Sequence, residues 1–323
     1  MKKFIRYFCL ILSLTCFLAC SLWYFYGSWF QRSIAALSPI PNFLMLVHNK
    51  QATLLDLWSP ELELAHGSGD VTDLTAQSVL MYDLTTNKIL YEKDPQQRRP
   101  MASLTKIMTA IIALESKKPD DRYLVRTSDV VGEDSMGATP GEILSFNELL
   151  YGLLLPSGND AAEVLAHNYP SGRSGFVQAM NDKAKALGLK DTQFSNPSGL
   201  QGDGQQYTTT YDLLVMTRYA LEQYPEFAQI VSTDIYDIAE TNTHKAFHLE
   251  NETNLLTSYP GVKGVKTGYT PEAGLCLVTY LDYGDHKIIG IILNSQNRRG
   301  EMKELLDYSL NTVGVTPPPY EEE

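Results

Sequence analysis

Ser103 and Lys106 lie one helical turn apart and could act as a nucleophile and its base. Both fall within residues 101–115, an apolar run after Pro100 that predicts a helix. Residues three apart share a helix face, so the lysine amine can reach the serine hydroxyl. A serine becomes nucleophilic when a base takes its proton, and a lysine in a dry pocket can be that base. Alone, the same pattern also fits a capping serine with a solvated lysine.

A second polar motif, Ser157-Gly158-Asn159, falls in a break between two predicted helices. There Ser157 could relay a proton from the lysine to a leaving group, and Asn159 could hold a substrate amide. Ser, Gly and Asn are also common in ordinary helix–helix turns and N-caps. The motif therefore predicts a cleft position only in combination with the others.

A third motif, Lys266-Thr267-Gly268, falls in a predicted strand near the end of the chain. Lys266 could attract a substrate carboxylate, Thr267 could donate a hydrogen bond, and Gly268 would let a substrate backbone run alongside the strand. Strict strand alternation sends neighbouring side chains to opposite faces. On that ground Lys266 is a firmer prediction than Thr267.

In this order the three motifs resemble the signature set of penicillin-binding proteins and class A β-lactamases. Their surroundings resemble the low-molecular-mass serine D-alanyl-D-alanine carboxypeptidases over about residues 74–313. The matching stretches are Met101-Ala-Ser-Leu-Thr-Lys106, Leu155-Pro-Ser-Gly-Asn-Asp-Ala-Ala162, Ala186-Leu-Gly-Leu189, Asn196-Pro-Ser-Gly-Leu200, Gly261-Val-Lys-Gly-Val-Lys-Thr-Gly-Tyr-Thr270 and Ala273-Gly-Leu-Cys-Leu277. The resemblance implies an enzyme that removes the terminal D-alanine of peptidoglycan stem pentapeptides and is covalently inhibited by penicillins.

The resemblance also implies a role for each motif residue. Ser103 would form the acyl-enzyme, Lys106 would be the general base, and Ser157 would relay the proton. The backbone N–H groups of Ser103 and Tyr269 would form the oxyanion hole. The substrate-binding residues would be Asn159, Lys266, Thr267, Gly268, Tyr269 and Arg298. Arg299 is an adjacent rival to Arg298, and the predicted reaction uses no metal and no cofactor.

Other activities are less consistent with the sequence. A class A β-lactamase normally has Asp where Gly158 stands, and it needs a deacylating glutamate that has no clear counterpart here. A zinc carboxypeptidase would need clustered ligands, yet His244 and His248 lack a His-Glu-x-x-His pattern. Complete motifs speak against a non-catalytic penicillin-binding sensor. Endopeptidase and transpeptidase activities remain open because they use the same acyl-enzyme.

The elements that must position these motifs predict an α+β fold. Strands are predicted at residues 77–83, 88–92, 262–269, 275–281 and 287–294, with helices between the two groups and a last helix at about 300–310. This order implies one antiparallel sheet of N- and C-terminal strands, flanked by helices and carrying a helical insertion, as in β-lactamases and penicillin-binding proteins. Residues 74–313 would be the catalytic domain, 31–73 a tether and 314–323 a tail.

Residues 1–30 predict a membrane segment. Lys2, Lys3 and Arg6 precede residues 7–30, which contain no charged residue, and about 20 apolar residues suffice to cross a bilayer. The basic flank predicts an anchor in the bacterial cell membrane with the catalytic domain outside the cytoplasm. A cleaved signal peptide is the alternative, and it exports the same domain. The net charge of −12 argues against a nucleic-acid partner.

Overall fold

Strands from both ends of the folded chain pair in one antiparallel sheet. The computed structural model describes residues 58–60, 65, 71, 73–253 and 255–320. In that part of the chain the strands are β1 (Ser78–Asp83), β2 (Lys88–Lys93), β3 (Tyr123–Leu124), β4 (Ile143–Leu144), β5 (Ile235–Ile238), β6 (Phe247–Glu250), β7 (Val262–Thr270), β8 (Gly274–Tyr283) and β9 (His286–Ser295). The main sheet has the order β2-β1-β9-β8-β7. The predicted α+β fold, with its N- and C-terminal strands paired, is confirmed.

Most helices lie between β2 and β7. Over the described residues they are α1 (Thr105–Glu115), α2 (Phe146–Leu154), α3 (Asn159–His167), α4 (Gly172–Ala186), α5 (Thr210–Gln223), α6 (Pro225–Val231), α7 (Leu255–Ser258) and α8 (Arg298–Thr312). A 3-10 turn, Ala102–Leu104, leads into α1, so the predicted helix at 101–115 begins with a tighter turn. The sequence did not predict α6, α7 or the two-stranded sheets β3–β4 and β5–β6, because these elements are too short to show a clear period.

The main sheet buries both of its faces. Leu80 and Ile291 pack in the cluster that includes α1 and the helical insertion, whereas Val79 and Ile292 pack with Met302 of α8. Neighbouring strand residues thus alternate between two cores, as the two-residue strand period requires. The helix α1 is buried on nearly all sides, which explains why its sequence is apolar throughout.

Both flanks of the catalytic region pack against it where they are described. Trp58 meets the ring of Tyr82 edge-on at 5.6 Å, and the Arg218 guanidinium lies 4.3 Å from the Trp58 ring. At the other end, the Tyr320 hydroxyl donates a hydrogen bond to Asp307 Oδ2 at 2.6 Å.

No helix in the described ranges is both long and apolar enough to span a membrane. The predicted membrane segment and most of the predicted tether lie outside the described residues.

Candidate active site

The amine of Lys106 lies at the centre of three contacts. Its Nζ is 3.0 Å from Ser103 Oγ, 2.7 Å from Asn159 Oδ1 and 2.8 Å from the Ser198 carbonyl oxygen. The amide and carbonyl oxygens can only accept hydrogen bonds. A neutral amine has two hydrogens for these two acceptors, and its lone pair is then directed at the Ser103 hydroxyl. This arrangement is the one that a base and its nucleophile would require.

The surroundings of Lys106 favour the neutral amine. The side chain is completely buried at 0% exposure. Burial lowers the pKa of Lys106 well below its ordinary value of 10.5, and repulsion from the nearby Lys266 lowers it further. The carboxylates of Asp134, Glu252 and Asp160 act in the opposite direction with smaller effect. Lys106 therefore gives up its proton more readily than an ordinary lysine.

The backbone beside Ser103 is strained and tightly enclosed. Ala102 adopts φ 47°, a left-handed conformation that costs about 1–2 kcal/mol for a residue with a side chain. Gly199 packs against it so closely that a β-carbon there would collide with the Ala102 carbonyl oxygen. On the other side, a β-carbon on Gly268 would come within 3.1 Å of the Ser103 backbone nitrogen. Two glycines thus let neighbouring segments of the chain pack closely around Ser103.

Ser157 lies in the turn between α2 and α3, also in a left-handed conformation, with φ 61°. Its Oγ is buried and has no hydrogen-bond partner among the described residues. Buried hydroxyls are normally paired, so an unpaired one in a strained turn is compatible with the relay role predicted for Ser157. A β-carbon on Gly158 would press on the Gly152 carbonyl oxygen and the Asp160 carboxylate. This turn therefore has no room for the aspartate typical of class A β-lactamases.

Asp160, which the sequence did not single out as a functional residue, holds together the segments next to Asn159. Its carboxylate accepts hydrogen bonds from Ser135 Oγ at 2.6 Å and from the backbone nitrogens of Met136 and Ala138 at 3.0 and 2.8 Å. The Asp134 carbonyl oxygen in turn accepts from the Asn159 backbone nitrogen at 2.9 Å. These contacts tie the loop before β4 to the start of α3, where Asn159 contacts Lys106.

The side chains of Lys266 and Thr267 both reach Glu252, although the two residues are neighbours on β7. Thr267 Oγ1 donates a hydrogen bond to Glu252 Oε2 at 3.2 Å, and Lys266 Nζ lies 4.0 Å from that same oxygen. Lys266 is 1% exposed, and burial lowers its pKa from 10.5 to about 8, with Glu252 opposing the shift. The lysine side chain is long enough to bring its amine round to the threonine. Alternation alone made Thr267 the weaker prediction, but β7 has an irregular register between Val262 and Val265, and both side chains reach Glu252.

Arg298 joins β7 to β8 beside the third motif. Its Nη1 donates hydrogen bonds to the carbonyl oxygens of Gly268 at 2.8 Å and Cys276 at 3.4 Å. Arg298 and Arg299 both border a cavity of about 60 Å³ together with Glu252 and Thr267. The geometry therefore keeps both arginines close to the third motif.

Two further residues of the matching stretches lie on paired strands, Tyr269 in β7 and Cys276 in β8. Tyr269 follows the third motif with 59% of its surface exposed, so its ring is accessible from solvent. Cys276 is buried in β8, where burial raises the pKa of its thiol to about 11, as expected for a structural cysteine.

The two histidines weighed as zinc ligands contact acids in separate places. His244 Nε2 lies 3.3 Å from Glu148 Oε1, and His248 Nδ1 lies 2.6 Å from Asp237 Oδ1. Within the described residues, no three His, Cys, Asp or Glu side chains are grouped closely enough to hold a metal ion.

Comparison with known proteins shows which family the chain belongs to. The sequence model of one protein family, described as D-alanyl-D-alanine carboxypeptidase, matches residues 65–297. The chain belongs to this family. Its predicted membership of the low-molecular-mass serine penicillin-binding proteins is thereby confirmed.

Individual relatives of this D-alanyl-D-alanine carboxypeptidase family member carry related names. D-alanyl-D-alanine carboxypeptidase DacF of Bacillus subtilis is 35% identical over 79% of the chain, which covers 65% of that protein's length. D-alanyl-D-alanine endopeptidase of Pseudomonas aeruginosa is 37% identical over 64% of this chain, and the match covers 67% of the length of that endopeptidase. Penicillin-binding protein D2 from Listeria monocytogenes, solved with cefotaxime bound, superposes with a TM-score of 0.67 at 29% identity, covering 75% of this chain and all of that one.

Some functional positions in this family member were missed by sequence reasoning. The Ser198 carbonyl and Gly199 belong to a stretch, Asn196-Pro-Ser-Gly-Leu200, that was noted only as a family likeness. Its Pro and Gly are a turn signal, but no local pattern shows that the turn packs on the nucleophile. Glu252 has no motif around it, and only the structure brings it to the third motif.

We predict that Gly199→Ala slows the acylation of Ser103 by benzylpenicillin about a hundredfold, the scale of effect for a 1 Å displacement of a reacting group. The added methyl group would collide with the Ala102 carbonyl oxygen and push the nucleophile out of line. Gly202→Ala is the matched control, because Gly202 also has a positive φ but no atom within 4 Å of its added β-carbon. Equal rates in the two variants would contradict this role of Gly199.

Proposed function

We propose that this chain is a serine D-alanyl-D-alanine carboxypeptidase that removes the terminal D-alanine of peptidoglycan stem pentapeptides. The observation that carries the proposal is the 3.0 Å contact between Ser103 Oγ and the buried amine of Lys106. A lysine whose pKa is lowered by burial can hold the free-base form that a serine nucleophile needs. The names of the relatives support the same reaction.

Acylation would proceed in one proton cycle. Lys106 Nζ takes the hydroxyl proton of Ser103 as Oγ attacks the carbonyl carbon of the penultimate D-alanine. The backbone N–H groups of Ser103 and Tyr269 would hold the negative charge that develops on the carbonyl oxygen. Ser157, whose buried Oγ has no partner among the described residues, would pass the proton to the leaving amine. The C–N bond then breaks, D-alanine leaves, and the peptide remains as an ester on Ser103.

Substrate binding would use the residues around this centre. The Oδ1 atom of Asn159 already contacts Lys106. Its side-chain NH₂ group would orient a substrate amide. Lys266 and Thr267 would bind the terminal carboxylate, with Arg298 contributing positive charge nearby. Gly268 would contribute indirectly, because the absence of a side chain lets β7 pack against the backbone of Ser103 beside the substrate.

Water would then attack the ester, release the tetrapeptide and restore Ser103. A β-lactam would acylate Ser103 through the same steps, but its leaving nitrogen stays attached within the opened molecule. The Listeria structure with cefotaxime supports β-lactams as inhibitors of this chain. An endopeptidase that cleaves cross-linked peptides by the same acyl-enzyme is the second candidate, because the Pseudomonas relative carries that name.

The proposed substrate lies outside the cytoplasm, and the N-terminal sequence supports that location. We propose that residues 1–30 anchor the chain in the lipid bilayer and that residues 74–313 form the catalytic domain on the outer side. Lys2, Lys3 and Arg6 before the uncharged run support this orientation.

The reaction is tested with the full chain and a purified muropeptide pentapeptide. We expect release of one D-alanine and accumulation of the tetrapeptide, detected by mass spectrometry. Ser103→Ala should abolish both this release and covalent labelling by penicillin, whereas Ser232→Ala, a change at the end of α6, should leave both intact. Labelling that persists in Ser103→Ala would refute the nucleophile. Cleavage of cross-linked dimers without loss of terminal D-alanine would instead favour the endopeptidase.

The membrane topology is tested by adding protease to spheroplasts. We expect digestion of the catalytic domain and protection of a tag placed at residue 1, because the basic flank holds the N-terminus in the cytoplasm. Digestion of the tag with an intact domain would reverse the orientation. A mature N-terminus near residue 30 would show that the segment is a cleaved signal.

A further inference from the structure

Glu252 places a carboxylate of the protein itself at the subsite proposed for the carboxylate of the substrate. Its Oε2 accepts the hydrogen bond of Thr267 Oγ1 at 3.2 Å and lies 4.0 Å from Lys266 Nζ. Glu252 also lies near Arg298, since both border the same small cavity. The two donors proposed to bind the substrate thus already have an anionic partner.

The backbone of Glu252 is fixed, but its side chain has room to move. Its backbone nitrogen donates to the Leu155 carbonyl oxygen at 3.2 Å, next to the turn that holds Ser157. The preceding Asn251 side chain donates to the carbonyl oxygens of Val231 and Thr233 at 3.2 and 2.9 Å. The Glu252 side chain is nevertheless 39% exposed. It can therefore turn towards solvent while its backbone stays anchored beside the cleft.

In the protein without substrate, Glu252 stabilises the charged form of the buried Lys266. Lys266 is almost completely buried, and a buried charge without a counter-charge is strongly unfavourable. Glu252 and Asp134 are the carboxylates that stabilise the charged form of Lys266, whereas Arg298 opposes it. A substrate carboxylate that entered the site would replace Glu252 in this role.

We propose that Glu252 is a specificity-determining residue that competes with the substrate carboxylate for Thr267 and Lys266. The inference rests on the proposed function, because it takes these two residues to be the carboxylate subsite. Two carboxylates that need the same donor repel each other. A substrate with a free terminal carboxylate must displace Glu252, whereas one whose carboxyl group is an ester or amide meets no like charge. Glu252 thus weakens the preference of the enzyme for substrates with a free terminal carboxylate. It favours substrates whose terminal carboxyl group is an ester or amide.

The test uses Glu252→Gln in the full chain, because glutamine keeps the size of the side chain and an acceptor for Thr267. The measurement is the second-order rate of Ser103 acylation by benzylpenicillin and by its neutral methyl ester. Both are measured at pH 6.5, where Lys266, with a pKa of about 8, is protonated. The ratio of acid rate to ester rate cancels effects on the chemistry at Ser103. We expect Glu252→Gln to raise this ratio about tenfold.

The matched control is Glu250→Gln, which removes the same charge two residues away, where the carboxylate contacts His248 at 3.1 Å. Its acid-to-ester ratio should equal that of the wild type. An unchanged or lowered ratio in Glu252→Gln, or an equal rise in the control, would overturn the proposal. If Glu252→Gln does not fold, Glu252→Ala is judged by the same ratio.

The proposed reaction is judged separately, by D-alanine release from the wild type. Acylation without that release would contradict the carboxypeptidase reaction alone, and the ratio would still decide the role of Glu252. A wild-type chain that penicillin does not acylate would contradict both.

Discussion

The burial of one lysine amine is the constraint on which the cleft depends. Lys106 Nζ is enclosed by Ser103 Oγ, the Asn159 side chain and the Ser198 carbonyl, which come from three separate segments of the chain. Each segment must be placed accurately, because a misplaced acceptor would leave a polar group buried without a partner. The sheet and the helical insertion meet at α1, and this packing excludes water from the amine. The fold thereby supplies the desolvation that lowers the pKa of Lys106, which the proposed role as a base requires.

Basic side chains that are largely removed from water lie close together around Lys106, and nearby carboxylates partly balance their charge. The positive charge of Lys266 disfavours a charged Lys106, and Arg298 adds to the positive charge around Lys266. Asp134 and Glu252 partly compensate all three. The same imbalance that lowers the pKa of Lys106 makes the neighbouring subsite attractive to an anion. The proposed base and the proposed anion subsite would therefore both follow from one cluster of buried basic side chains.

The sequence predicted the sheet and the long helices because their apolar periods are strong, and it predicted the motifs because each is local. Ser103 and Lys106 are neighbours on a helix turn, so their contact follows from spacing alone. Ser198 and Glu252 meet the cleft only through tertiary packing, which spacing does not encode. Alternation could only rank Lys266 above Thr267, because it describes where side chains leave a regular strand and not where a long one ends.

The most direct test of this account is the titration of Lys106 in the free protein. Lysine residues labelled with ¹³C at Cε allow the pKa of each amine to be followed by NMR, and Lys106→Arg identifies the signal of interest. The account predicts a pKa for Lys106 well below the ordinary 10.5, with a midpoint that coincides with the rise of Ser103 acylation with pH. An ordinary pKa near 10.5 in a protein whose Ser103 is already fully reactive at neutral pH would contradict it.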